Sequence, residues 1–225
     1  VRDRLTGELM ILSNNHVLAN STNGSDGRAM IGDPIYQPGP YDGGSAQAVL
    51  GHLYRFVPLR RDYEEASCKH ARAAERLANR VLGLVRPEYR LSLYRRLSAE
   101  NLVDAALAKP VSPDAVTAEI LEVGTVRGVR EPAVGMRVLK SGRSSGVNRG
   151  EVVAVGATVK VTLDEGREAV FSDQFVTEAL AKPGDSGSLI LDEERYAVGL
   201  LFAGSEKSTI CNRIQNVLEL LQVDF

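Results

Sequence analysis

A Gly-Asp-Ser-Gly turn at residues 184–187 leads into an apolar strand near the end of the chain. Glycine permits backbone angles and close approaches that other residues resist, so such a turn can expose the hydroxyl of Ser186. The turn can also aim the N–H groups of Gly184 and Ser186 at one point, where they would stabilise negative charge on a carbonyl oxygen. It therefore predicts a serine nucleophile with an oxyanion hole. A plain connection between two strands is the alternative.

The general base that such a serine needs is most often histidine, because the neutral hydroxyl is a weak nucleophile. The chain has three histidines, and all of them precede Ser186. In α/β-hydrolases the histidine follows the serine, and the elbow reads Gly-x-Ser-x-Gly. Here no histidine follows, and Ser188 stands at the last elbow position. Both observations argue against that fold.

His16 is the best placed of the three histidines, because an apolar strand ends there in a polar turn. A strand-end histidine that only binds backbone would show the same pattern. His52 lies in a strand-like segment and fits a structural role. His70 lies beside Lys69 in a helical segment, where we expect a solvated position.

The third chemical group is Asp104, a single carboxylate inside the apolar segment 101–108. A buried charge without a partner costs several kcal/mol or becomes neutral, so we expect a dedicated partner for this side chain. A histidine whose tautomer the carboxylate fixes is one such partner. A buried arginine is the other.

In the order His16, Asp104, Ser186, the three segments resemble the trypsin-like (chymotrypsin-fold) serine peptidases, especially bacterial members without the usual disulfides. The similarity rests on the strand before His16, the Val-Asp-Ala-Ala-Leu segment at 103–107 and the Gly-Asp-Ser-Gly turn. It covers nearly all of the chain except residues 60–99. The resemblance implies that His16 is the general base, Asp104 its orienting acid and Ser186 the nucleophile.

The resemblance extends to the segment 198–204. In the family, the end of this strand pairs with the substrate backbone and lines the primary specificity pocket, which implies substrate binding by Phe202, Ala203 and Gly204. Phe202 stands where many relatives have a serine that supports the catalytic aspartate. Residues 180–182 place no acid where trypsin has one, so a small or medium apolar P1 side chain is expected.

Asp185 also needs a partner under this resemblance. The Ser-Gly-Arg-Ser-Ser-Gly segment at 141–146 is similar to one in α-lytic protease and streptogrisin relatives, where the arginine pairs with the equivalent aspartate. This similarity predicts an ion pair between Arg143 and Asp185 that supports the oxyanion hole without activation cleavage. An exposed arginine in a Gly/Ser turn is the alternative.

The fold implied is mainly β, with two antiparallel barrels of the six-stranded type, a helical insertion and a C-terminal helix. Short Val-rich segments separated by Gly or charged turns are typical of barrels or sandwiches. We assign an N-terminal barrel to 1–59 and 100–115, and a C-terminal barrel to 116–212. A helical hairpin then occupies 60–99, with one helix at about 62–84 and a second at 88–97, and a further helix occupies 213–225. More chain usually precedes the histidine strand in the family, so we expect an N-terminal truncation.

The insertion carries ten Lys and Arg against five Asp and Glu between residues 60 and 96. A basic excess can attract acidic partners or nucleic acid. The favoured interpretation is a hairpin that buries its Leu/Ala stripe against the barrel or a sister subunit, with a solvated basic face. A homo-oligomer is therefore possible, and nucleic acid is not the expected partner. A roof over the substrate cleft is a further alternative.

The composition bears on membrane partners, disulfides and metal cofactors. With 225 residues, a net charge of −2 and no apolar run of the ~20 residues that span a bilayer, we expect no membrane partner. No signal peptide is visible, which leaves the compartment open. Only Cys68 and Cys211 occur, and two unpaired thiols are expected. The histidines and cysteines lack ligand spacing, so no metal or other cofactor is expected.

These residues favour a serine endopeptidase that works through an acyl-enzyme on a polypeptide substrate. The alternative of a different class is a catalytically silent trypsin-like module that binds peptides or assembles through its insertion.

Overall fold

The computed structural model describes residues 1–66, 68–96, 99–163, 166 and 168–225. It is mainly β, with three helices: α1 (Asn15–Leu18), α2 (Lys69–Val85) and α3 (Ile214–Leu221). The strands of the first half are β1 (Arg2–Asp3), β2 (Ile11–Ser13), β3 (Pro34–Tyr36), β4 (Val49–Phe56), β5 (Tyr63–Glu65), β6 (Tyr94–Arg96), β7 (Glu100–Asn101) and β8 (Ala106–Pro110).

The second half of the chain supplies the longer strands. They are β9 (Glu119–Ile120), β10 (Gly124–Thr125), β11 (Gly128–Val129), β12 (Arg137–Gly142), β13 (Gly146–Thr162), β14 (Glu168–Glu178), β15 (Leu189–Asp192), β16 (Tyr196–Gly204), β17 (Ser208–Arg213) and β18 (Val223–Asp224). The prediction of a mainly β chain with a helical insertion and a C-terminal helix is confirmed.

Six of these strands form a closed antiparallel barrel. Its order is β15-β12-β13-β14-β17-β16, and β16 returns to pair with β15. Closure removes the exposed edges that an open sheet would leave. Val138, Phe175 and Ile190 pack inside with no more than 2% of their surface exposed, so the barrel holds a dry core.

The N-terminal half contributes a four-stranded antiparallel sheet in the order β2-β8-β4-β3. Its central strand β8 is apolar and buried, with Ala106, Leu107 and Ala108 fully covered. Strand β2 runs directly into α1, and the loop before β8 carries residue 104. A shared cluster that includes Met10, Leu107, Leu200 and Ile214 joins this sheet to the barrel and to α3. Residue 16, in α1, and residue 104 are thereby held next to the barrel.

The insertion differs from the predicted helical hairpin. Its first half is helix α2, as expected, but the described part of the predicted second helix, 88–96, is an irregular segment followed by β6; Leu97 lies outside the described residues. Asn79 explains the difference, because its side chain bonds both the N–H and the C=O of Leu91 at 2.7 Å. Strand β6 then pairs with β5 in a short two-stranded antiparallel sheet.

The chain ends next to its start. Strand β18 pairs with β1, and the Arg4 side chain bonds Glu219 and Asp224. Both cysteines are free, as expected: Cys68 is exposed, and Cys211 lies in the barrel core, where burial raises the pKa of its thiol. Among the described residues, no helix has the length and apolar character needed to cross a membrane.

Candidate active site

His16 and Asp104 are in direct contact. The Nδ1 atom of His16 lies 2.5 Å from Asp104 Oδ2, and the backbone N–H of His16 donates to Oδ1 of the same carboxylate at 3.1 Å. The Asp104 side chain is fully buried, whereas 26% of the His16 side chain is exposed. The short helix α1 thus holds the imidazole with one nitrogen on a buried carboxylate. The other ring nitrogen, Nε2, forms no hydrogen bond with the described residues.

The backbone of Asp104 is held from the barrel by Asn212, a buried residue of β17. The Asn212 side chain accepts from the Asp104 N–H at 3.0 Å and donates to the Asp104 carbonyl at 3.2 Å. Asn14 donates to the same carbonyl at 2.8 Å. Sequence reasoning missed both asparagines. The sequence offered one sign of Asn212: a single amide side chain, next to Cys211, in a segment that is otherwise suited to a buried strand.

The turn at 184–187 has the backbone that its glycines suggested. Gly184 and Gly187 lie at φ +96° and +85°, in the region where L side chains are strained. A Cβ on Gly187 would also lie 2.1 Å from the Ser13 hydroxyl, so the turn packs directly against the end of β2. Because Ser13 is three residues before His16, this close approach brings the turn that carries Ser186 to the histidine segment.

Two amides of the turn are unused. The N–H groups of Asp185, Gly187 and Ser188 bond to backbone carbonyls. Within the described part of the chain, the N–H groups of Gly184 and Ser186 donate to no protein acceptor. An oxyanion hole requires such a pair of donors, and here they would be the N–H of the serine itself and that of the residue two positions before it.

Two cavities meet beside these groups. One, of about 680 Å³, is lined by Ser186 and is largely apolar at its floor, with Leu180, Ala181 and Leu201. The other, of about 610 Å³, is lined by His16 and Phe202. Both include Ala203, Gly204 and Ser205, so the histidine and the serine open onto adjoining parts of one cleft. No hydrogen bond joins the His16 ring to the Ser186 hydroxyl among the described residues, a contact that often tightens only with substrate.

The expected pair of Arg143 with Asp185 is wrong. Arg143 is half exposed and pairs with Asp42, whereas Asp185 pairs with Lys140, whose Nζ lies 2.8 Å from Oδ2. The side chains of Lys140 and Asp185 are both fully buried. The reason is strand geometry: Lys140 lies two residues after Val138 on β12, so both share the barrel-facing side. The turn residue Arg143 faces outward instead.

Asp185 is among the most heavily hydrogen-bonded carboxylates in the site. Oδ2 accepts from Lys140, from the Ser145 hydroxyl and from the N–H of Lys182, and Oδ1 accepts from the N–H groups of Ser144 and Ser145. Burial alone would raise the pKa of this carboxyl, but these donors outweigh it and hold the pKa well below its ordinary value. Asp185 is therefore ionised throughout the neutral range.

The remaining predicted site residues lie at the end of β16. Phe202 is buried and packs on Phe171, with ring centroids 4.7 Å apart, so it gives Asp104 no hydrogen bond. Ala203 and Gly204 pair with β17 on one side. On the other side, β15 pairs only as far as Leu200 among the described residues, which leaves the last part of β16 with an open edge.

Solved structures of several proteases are similar to this chain. Thermobifida fusca protease A is 26% identical, over 60% of this chain and 75% of that one, with a TM-score of 0.47. Nocardiopsis protease is 25% identical, over 56% and 69%, with a TM-score of 0.45. Cellulomonas bogoriensis chymotrypsin is 24% identical, over 57% and 72%, with a TM-score of 0.45. No protein-family model matches the chain, and no curated protein matches it at a significant level.

The described residues contain no cluster of three or more His, Cys, Asp or Glu side chains that could hold a metal ion. His52 is exposed on β4 and His70 is exposed on α2, away from the cleft. The groups that line the two adjoining cavities include the imidazole of His16, which is bonded to the buried Asp104, and the hydroxyl of Ser186.

Proposed function

We propose that the chain is a serine endopeptidase, with Ser186 as nucleophile, His16 as general base and Asp104 as the orienting acid. One observation carries the proposal. A buried carboxylate binds one nitrogen of a partly exposed imidazole, and the adjoining part of the cleft contains a serine whose own N–H and that of Gly184 have no acceptor among the described residues. These are the kinds of group that acyl transfer uses, and their arrangement supports the proposal.

In the first half of the reaction, Nε2 of His16 takes the proton of the Ser186 hydroxyl as its oxygen attacks the carbonyl carbon. The carboxylate of Asp104 stabilises the imidazolium that forms and keeps Nδ1 protonated. The imidazolium then gives its proton to the leaving amine, and an ester on Ser186 remains. Water attacks this ester in the second half, with His16 again as base, and releases the acid.

The two free amides stabilise the tetrahedral intermediates. The N–H groups of Gly184 and Ser186 would donate to the oxygen that becomes negative as the carbonyl carbon is attacked. Removing one such donor from a serine peptidase typically costs about 100- to 1,000-fold in turnover. Because these donors are backbone atoms, their aim depends on the ionised Asp185 and its buried partner Lys140.

The substrate is an extended polypeptide in this proposal. The open edge at Ala203 and Gly204 can add a substrate strand through main-chain hydrogen bonds. The cavity at Ser186 then receives the P1 side chain. Its lining is apolar at Leu180, which is 4% exposed, and at Leu201. It also contains one carboxylate, Glu206, and one ammonium, Lys182, whose charges cancel. We therefore expect faster cleavage after an apolar residue such as Leu or Ala than after Lys or Arg.

A fluorophosphonate probe tests the proposal directly, because it reacts only with an activated serine. We expect covalent labelling of the wild-type chain, none in Ser186→Ala and at least about 100-fold slower labelling in His16→Ala. Ser188→Ala is the matched control, because this serine is two residues away and its hydroxyl is already bonded to the Asp185 carbonyl. A folded wild-type chain that takes up no label, yet binds peptides, would establish the silent module instead.

A further inference from the structure

Helix α2 leaves an apolar stripe uncovered. Leu77, Val81 and Leu84 recur on one side of the helix and are 65%, 56% and 84% exposed. From the sequence we expected this stripe to be buried against the barrel or a sister subunit; in the structure of the chain it is exposed. None of the described residues from 68 to 96 lines the two cavities beside His16 and Ser186, so the stripe does not roof the cleft.

The helix is held from its other side. Asn79 bonds the backbone of Leu91 at both its N–H and its C=O, and Glu75 accepts from the N–H of Leu93 at 3.4 Å. Because Glu75 and Asn79 lie on the side that faces the 91–93 segment, the Leu/Val stripe faces away from it. The stripe is therefore a fixed outward surface.

A row of cations borders the stripe. Arg72, Arg76 and Arg80 follow one another at four-residue spacing on the adjoining face, and they form no ion pair with any described residue. From Lys69 to Arg96 the sequence has eight Lys and Arg against two Glu. The chain totals of 27 and 29 leave 19 Lys and Arg against 27 Asp and Glu elsewhere. The positive charge is thus concentrated around this stripe.

We propose that α2 lies on an anionic lipid surface, with Leu77, Val81 and Leu84 among the acyl chains and Arg72, Arg76 and Arg80 at the headgroups. An amphipathic helix with a basic polar face binds in this way, parallel to the membrane plane. The proposal departs from the sequence-based expectation of no membrane partner, which rested on the absence of an apolar run long enough to span the bilayer.

Two other partners fit the surface less well. A two-fold dimer through α2 would bring the same basic rows of two copies together, and like charges would oppose it. A nucleic acid would pair with the arginines but would leave the Leu/Val stripe in water. Anionic lipid alone satisfies the apolar and the charged parts at once.

Flotation with vesicles tests this surface independently of peptidase activity. The full chain should float with phosphatidylcholine vesicles that contain phosphatidylserine, and not with phosphatidylcholine alone. Leu77→Gln with Val81→Gln keeps helix-compatible residues, and it should weaken binding roughly tenfold or more. Arg76→Gln with Arg80→Gln should weaken it similarly, and added salt should weaken wild-type binding. Leu121→Gln and Arg149→Gln, at exposed positions outside the insertion, should leave binding unchanged.

Three results would overturn the proposal. They are no flotation with anionic vesicles, equal flotation of wild type and Leu77→Gln/Val81→Gln, or vesicle binding lost equally in the two control variants. Dimerisation by sedimentation velocity that Leu77→Gln/Val81→Gln abolishes, without vesicle binding, would identify a second copy as the partner. Binding of RNA that depends on Arg76 and Arg80 but not on Leu77 and Val81, without vesicle binding, would identify nucleic acid. Circular dichroism verifies that each variant keeps its fold.

Discussion

Lys140 and Asp185 form a fully buried ion pair immediately beside the candidate nucleophile, with 2.8 Å between Nζ and Oδ2. Lys140 also donates to the Ser145 hydroxyl at 2.6 Å and to the Gly146 carbonyl, so the ammonium is bonded at three points. The pair ties the end of β12 to the turn that carries Ser186. It therefore connects the barrel wall to the orientation of the two free amides.

Lys140→Met should lower kcat/KM and the rate of fluorophosphonate labelling by about 100-fold or more, because an unpaired Asp185 would pull the turn away from its present backbone. Removing one member of a buried pair also destabilises a fold by about 3–5 kcal/mol, which urea denaturation would measure. Steady-state kinetics should show the loss in kcat rather than in KM, since Lys140 is fully buried and cannot contact the substrate.

Arg143→Ala is the matched control for that change. Its partner Asp42 lies on the surface, and exposed pairs contribute about 1 kcal/mol or less. We expect near-wild-type turnover and stability. If Arg143→Ala were inactive and Lys140→Met active, the original sequence-based assignment would be correct and the role given to Lys140 would fail.

The pKa of Asp185 predicts a dependence of stability on pH. Since hydrogen bonds hold this pKa below the ordinary value near 3.9, the unfolded chain binds a proton here at a higher pH than the folded chain does. The contribution of Asp185 is therefore complete above about pH 5 and is lost as the pH falls below that value. Urea denaturation at several pH values should show a shallower fall in the Lys140→Met/Asp185→Asn variant. Equal slopes in both proteins would contradict the prediction.

The sequence predicted the candidate catalytic side chains better than the residues that hold them in place. A lone aspartate in an apolar segment and a histidine at a strand end are local signals, and the structure brings Asp104 and His16 together. Lys140 was overlooked because a similar motif directed attention to Arg143, although the period of two along β12 already placed residue 140 with Val138. The helix predicted at 88–97 failed for another reason. Asn79 bonds the backbone of Leu91, and β6 pairs with β5. Both contacts come from other parts of the insertion, so the periodicity of residues 88–97 alone could not predict them.

Gly187→Ala should distort the turn through two separate effects. A non-glycine residue at positive φ costs about 1–2 kcal/mol, and the new methyl group would lie 2.1 Å from the Ser13 hydroxyl. Gly7→Ala is the matched control, because Gly7 also has a positive φ, +69°, but has no atom within 4 Å of its Cβ position. We expect Gly187→Ala to lose more stability than Gly7→Ala and to lose activity as well.

A double-mutant cycle separates the contact from the backbone strain at Gly187. Ser13→Ala removes the hydroxyl that the new methyl group would meet, so Gly187→Ala should cost less in that background, with a coupling energy of about 1 kcal/mol or more. Additive effects would mean that the turn relaxes away from β2 without strain, and the close approach of the two segments would then have no energetic consequence.

Asn212→Ala should separate positioning from binding. This side chain bonds the N–H and the C=O of Asp104 and also the carbonyl of Leu200, so its loss leaves buried polar atoms unpaired at a cost of about 1–3 kcal/mol. Because Asp104 would then be held less firmly against His16, kcat should fall while KM changes little. Asn216→Ala is the matched control: its amide bonds Asp173, which lies outside the cleft, so it should leave kcat unchanged. If Asn212→Ala raised KM and left kcat unchanged, Asn212 would shape the substrate cleft rather than the orientation of Asp104.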